Sequence, residues 1–101
     1  MYTKQALRIL GVSDDDVTAA QKEALAADGY FTVENVFSRK ECAEMAEAFE
    51  RIHGEEKENG GHEVHVEPGA RRVSNIFNKS SAFDKCLQIP LVLASCHHLL
   101  G

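Results

Sequence analysis

The stretch from Ser38 to Gly54 constrains the fold of this chain more than any other. Ser38-Arg39-Lys40-Glu41 has the form of a capping box. In such a box the serine hydroxyl accepts from a backbone N–H three residues on, and the glutamate reaches back to the cap. Behind it Cys42, Met45, Ala46, Phe49 and Ile52 recur at the spacing that places side chains on one helix face. Lys40, Glu44, Glu47 and Arg51 solvate the opposite face, and Gly54 stands where the helix is expected to close. A helix with one apolar stripe is marginal alone in water, so other segments must cover Phe49 and Ile52.

The rest of the chain offers further helices and short strands. Residues 3–10 predict a short helix stopped by Gly11. The acidic Asp14-Asp15-Asp16 leads to a second capping box, Thr18-Ala19-Ala20-Gln21, and to the alanine-rich helix Ala19–Ala27, which Asp28-Gly29 ends. Tyr30–Phe37, aromatic and β-branched, predicts a strand. After the polar loop 54–61, alternation over Glu63–Glu67, the turn Pro68-Gly69 and the run Arg71–Phe77 predict a hairpin. Ser81 and Asp84 fit a short helix through residues 82–87. Pro90 fits the first turn of a last helix. Leu91, Val92, Leu93, Leu99 and Leu100 make that helix apolar around much of its circumference, so it needs cover on more than one side. The expected class is α+β, with about four helices and about three short strands in a single domain, residues 1–101.

Charge and cysteine usage bound the partners. Eleven Lys and Arg against sixteen Asp and Glu leave a formal charge of −5, unfavourable for binding an anionic nucleic acid. The basic pair Arg71-Arg72 is not interleaved with aromatic residues that would stack bases. No apolar run approaches the ~20 residues of a membrane-spanning helix. Lys4, Gln5 and Arg8 interrupt the start of the chain, so it does not resemble a signal peptide. A soluble, cytoplasmic protein with no membrane and no nucleic-acid partner is the expectation. Cys42, Cys86 and Cys96 are odd in number, form no Cys-x-x-Cys pair and sit in apolar segments. They suit buried thiols in a reducing compartment, and nothing demands a disulfide.

Local clusters supply no catalytic constellation. In His62-Glu63-Val64-His65 the histidines are three apart rather than the four of the helical zinc motif. On a strand they would point to opposite faces, so they are expected as exposed hairpin histidines. Cys96-His97-His98 sets a thiol beside two imidazoles, but adjacent helix residues do not face one another. Cys96 is expected to pack inward, with His97 and His98 near a helix C-terminus whose partial negative charge favours cations. Asp14–Asp16 lacks the loop and the bidentate glutamate of a calcium site. No Gly-rich phosphate loop or nucleophile elbow occurs.

The order of segments says more. Asp28-Gly29-Tyr30 ends a capped helix, Phe31–Phe37 follows at once, and Ser38–Cys42 opens the amphipathic helix. Then come Arg72-Val73-Ser74-Asn75-Ile76, Ala82-Phe83-Asp84-Lys85, and a helix from Pro90 that ends Leu99-Leu100-Gly101. This order resembles the N-terminal region of the phytanoyl-CoA dioxygenase family of iron(II)- and 2-oxoglutarate-dependent oxygenases. The resemblance spans residues 18–101, and residues 1–17 are less characteristic.

The resemblance implies a double-stranded β-helix, or jelly-roll, holding iron(II) by two histidines and a carboxylate, with open positions for 2-oxoglutarate and oxygen. The family's His-x-Asp is not in this sequence. Two residues after His53, His62, His65, His97 and His98 stand Glu55, Val64, Glu67, Leu99 and Leu100. His65-Val66-Glu67 lies upstream of the family's position and is not taken for the triad. An eight-stranded jelly-roll at ~5–6 residues per strand would consume most of this chain.

The expectation is therefore a truncated, helix-rich N-terminal part of a jelly-roll oxidoreductase. It has no catalytic or metal-binding residue and is inactive alone. Iron and 2-oxoglutarate belong to the parent, which hydroxylates a small organic substrate. Asn75 is the candidate cosubstrate contact, with a role as a plain strand residue as the alternative. The expected partner is the remainder of the jelly-roll, or another protein docking through the 90–100 helix. A small non-catalytic α+β interaction module is the competing reading.

Overall fold

The capping boxes read from the sequence both form. In the computed structural model, which describes residues 3–60 and 67–101, Thr18 Oγ1 accepts from the Gln21 N–H at 3.1 Å. Gln21 Oε1 in turn accepts from the Thr18 N–H at 2.9 Å. The same reciprocal pair joins Ser38 and Glu41, at 3.1 and 2.9 Å. Each pair satisfies backbone donors that a helix start leaves without partners. The helices are α1 (Thr3–Ile9), α2 (Ala19–Ala27), α3 (Arg39–Glu56), α4 (Ile76–Lys79) and α5 (Pro90–Leu100), with 3₁₀ turns at Asp14–Asp16, Lys57–Asn59 and Ser81–Leu87. No helix among the described residues is long and apolar enough to cross a membrane.

The chain divides into two compact units, Met1–Glu34 with Cys86–Gly101, and Asn35–Lys85. In the first, Gly11 ends α1 at φ +73°, a conformation that costs glycine no Cβ clash. The Gly11 N–H donates to the Arg8 carbonyl and the Val12 N–H to the Leu7 carbonyl. This is the Schellman arrangement, which brings the residue after the glycine onto the last turn of the helix. Val12 thereby joins Val17 and Ala94 in a small core, with Leu7, Leu91 and Leu93 packed around it.

The second unit is organised by α3. Ala48 and Ile52 are buried with Phe83, and Met45, Phe49, Val73, Ile76 and Ala82 pack against them. The buried face is therefore 45, 48, 49 and 52, rotated from the expected stripe, and Cys42 and Ala46 are exposed. The helix also runs through Gly54 to Glu56, and Lys57 takes the positive φ of 53° instead. A helix-interior glycine costs ~1 kcal/mol relative to alanine. Here Lys79 Nζ donates to both oxygens of Glu56, at 2.5 and 3.0 Å, which ties down the last turn. Gly60 then passes against the Arg72 carbonyl, 2.8 Å from where a Cβ would stand.

No strand occurs among the described residues, which corrects the α+β, partly jelly-roll expectation. Residues 30–37 are irregular. Asn35 takes the left-handed conformation at φ 59°, and Tyr30, Val33 and Val36 are exposed. The run Arg71–Phe77 breaks in the same way at Asn75, φ 55° and ψ 39°, where α4 begins. Val73 and Ile76 meet the α3 core at a spacing of three, a turn period and not the period of two that a strand needs. The expected strand 63–67 lies outside the described residues except for Glu67, which is exposed coil. A short strand is stable only with ladder partners, and asparagine is the non-glycine residue that most readily enters the left-handed region and ends one.

Candidate functional site

The residues singled out in the sequence do not converge. Asn75, the cosubstrate candidate, is exposed at the start of α4, where its side-chain oxygen accepts from Asn78 Nδ2 at 2.7 Å. Beside it Ser74 is buried, and its hydroxyl has no hydrogen-bond partner among the described residues. His53 is half-buried on α3 and stacks on Phe49, ring centroids 5.8 Å apart. The Arg71 guanidinium lies over the other partner of that stack, 5.0 Å from the Phe49 centroid, and bonds Glu50. That bond holds the Glu50 carboxyl below its ordinary range and raises the Arg71 guanidinium. His62 and His65 lie outside the described residues. Among those described, no three His, Cys, Asp or Glu side chains sit together where they could hold a metal ion, so no step through iron is assigned to them.

The cysteines depart from expectation. Cys42 and Cys96 are exposed and Cys86 is half-buried, and none forms a disulfide. At the end of α5 it is His97, not Cys96, that turns inward. His97 is half-buried, and its Nδ1 is shut off from solvent without a hydrogen-bond partner among the described residues. Residues 94 and 97 are three apart and so share a face with the buried Ala94, whereas 96 does not.

His97 faces space that the sequence did not point to. A cavity of about 310 Å³ lies within the first unit, floored by Leu7, Val12 and Ala94. Lys4, Arg8, Ser13, Asp14 and His97 supply its charged and polar lining. Lys4 and Arg8 are one turn apart on α1 and therefore on one face. Asp14 is carried by the 3₁₀ turn Asp14–Asp16, which Asp16 secures by accepting from the Ser13 N–H at 2.8 Å. Asp14 itself is paired with Lys22 at 2.6 Å. That bond and charge depress its carboxyl, with lesser help from His98 and His97. A second cleft of about 280 Å³ is lined by Thr3, Leu7, Leu93, Cys96, His97 and Leu100. The signal for the first cavity was in the sequence, as a basic pair four residues apart on a short amphipathic helix. It stood out only as an interruption of apolar residues. Compared with protein-family models, curated proteins and solved structures, the chain matches none of them.

Proposed function

We propose that this chain serves as the non-catalytic, helical N-terminal portion of an iron(II)- and 2-oxoglutarate-dependent dioxygenase of the phytanoyl-CoA dioxygenase type. The observation that carries the reading is the order of Asp28-Gly29-Tyr30, Ser38–Cys42, Arg72–Ile76, Ala82–Lys85 and Leu99-Leu100-Gly101 along one chain. In this role the chain packs against a core that supplies the two histidines and carboxylate, since no His-x-Asp stands in it. Such an enzyme would hydroxylate a small organic substrate with dioxygen at its iron(II), one oxygen atom going to the substrate and the other to 2-oxoglutarate as it is converted to succinate and carbon dioxide. Asn75, exposed beside buried Ser74, is the residue proposed to approach the cosubstrate.

The test is turnover. Incubated with iron(II) and 2-oxoglutarate, the chain alone is expected to form no succinate, and robust iron-dependent succinate would overturn the assignment of the triad to another segment. A coding frame that continues past Gly101 into His-x-Asp and a later His would support the reading, and a stop codon there would count against it. A small non-catalytic interaction module is the second reading. It is favoured by Leu99 and Leu100, which are 60% and 85% exposed on α5. Such a patch predicts self-association on size exclusion, relieved by the Leu99→Glu/Leu100→Glu double variant.

A further inference from the structure

The cavity of about 310 Å³ in the first unit is open to solvent on one side and lies beside a core of only three buried residues. Its size falls at the lower end of small-molecule pockets, and its make-up follows their pattern of an apolar body with a few polar groups. The apolar floor is Leu7, Val12 and Ala94. The polar groups are unequal in charge. Asp14 is neutralised by its ion pair with Lys22, while Lys4 and Arg8 have no ion-pair partner among the described residues. His97 also lines the cavity, with its Nδ1 closed off from solvent. A lysine and an arginine without ion-pair partners among the described residues, over an apolar floor, select against cations. They leave a neutral hydrocarbon with nothing to gain from the rim.

We infer that this cavity binds a small organic monocarboxylate, its hydrocarbon body on Leu7, Val12 and Ala94 and its carboxylate between Lys4 and Arg8. Arginine suits the role because its planar fork matches a carboxylate with two parallel hydrogen bonds, and lysine adds a point charge. The inference does not depend on the oxygenase reading, because the cavity is contained in the first unit and involves neither iron nor Asn75.

Benzoate serves as the probe, with benzamide, benzylamine and inorganic phosphate as controls, titrated into the full chain and followed by calorimetry and by the His97 ring resonances. Benzoate is expected to bind saturably and to shift His97. Benzamide, which lacks the charge, and phosphate, which lacks the hydrocarbon body, are each expected to bind at least about tenfold more weakly. Lys4→Gln/Arg8→Gln is expected to weaken benzoate by at least about tenfold. Both side chains are exposed, so the variant is expected to keep the helical circular dichroism of the parent chain. Equal binding of benzamide would overturn the carboxylate, equal binding of phosphate the apolar floor, and tighter binding of benzylamine the sign of the site. Absence of saturable benzoate binding, or binding indifferent to the double variant, would overturn the inference as a whole.

Discussion

The two units handle apolar surface in opposite ways. Asn35–Lys85 turns Met45, Ala48, Phe49 and Ile52 of one long helix onto Phe83, Val73 and Ile76. It fastens that packing with Glu44–Lys85, Glu50–Arg71 and Glu56–Lys79. The other unit has a core of Val12, Val17 and Ala94, none of them large, while Ile9, Leu10, Leu87, Val92, Leu99 and Leu100 remain exposed. The first arrangement is that of a surface spent on internal stability. The second leaves an apolar exterior, which is what a docking element requires, whereas a cleft is found in each unit, about 310 Å³ in this one and about 510 Å³ in Asn35–Lys85. Sequence hydrophobicity does not distinguish them, because α5 is the more apolar helix and yet the one with more uncovered leucine.

The comparison breaks most readily at Phe83. Phe83→Ala is expected to cost ~3–5 kcal/mol, measured by urea unfolding, because the ring is buried between α3 and its neighbours. Phe49→Ala should cost less, since that ring is half-buried, and a larger loss at Phe49 would show that the α3 face is misassigned. Val17→Ala in the other unit removes two methyl groups and is expected to cost roughly 2 kcal/mol by the same measurement. A loss equal to that of Phe83→Ala would erase the distinction between the cores. Ser38→Ala and Thr18→Ala remove one helix cap from each unit, and each is expected to cost about 1 kcal/mol. The smallest effect concerns pH. Asp14 in one unit and Glu50 in the other are depressed by Lys22 and Arg71. Their contribution is full above the ordinary carboxylate range and is lost as pH falls through the lowered values. Asp14→Asn and Glu50→Gln should each flatten the acid limb of a stability–pH curve, and an unaltered limb would show that the pair contributes nothing measurable.

How much of this was legible beforehand depends on the range of the interactions. Thr18 with Gln21, Ser38 with Glu41, Gly11, and Pro90 at the head of α5 act across three or four residues, and each forms as its local chemistry dictates. The strands expected over Tyr30–Phe37 and Arg71–Phe77 do not form because aromatic and β-branched residues in one run, and a place opposite a turn for the other, supply no ladder partner. Asn35 and Asn75, which carry the left-handed turns, look like ordinary polar positions in those runs. The α3 stripe was placed about half a face off because Cys42 and Ala46 are apolar enough to fit the pattern, while only contact with Phe83, Val73 and Ile76 selects Ala48. The candidate site was less legible still. Lys4 and Arg8 are separated from His97 by most of the chain and line one cavity with it only in the folded unit, where Val12 turns back on α1.

What the sequence by itself determined is where α1, α2, α3 and α5 begin and where α1 and α2 end. Those outcomes follow from hydrogen bonds that no distant contact needs to complete. The tertiary structure alone decided that apolar runs become turns and not strands, that Ala48 and not Ala46 enters the core, and that His97 and not Cys96 faces inward. Each is a choice among locally equivalent conformations, and the choice falls to whichever buries more apolar surface against segments remote in the chain.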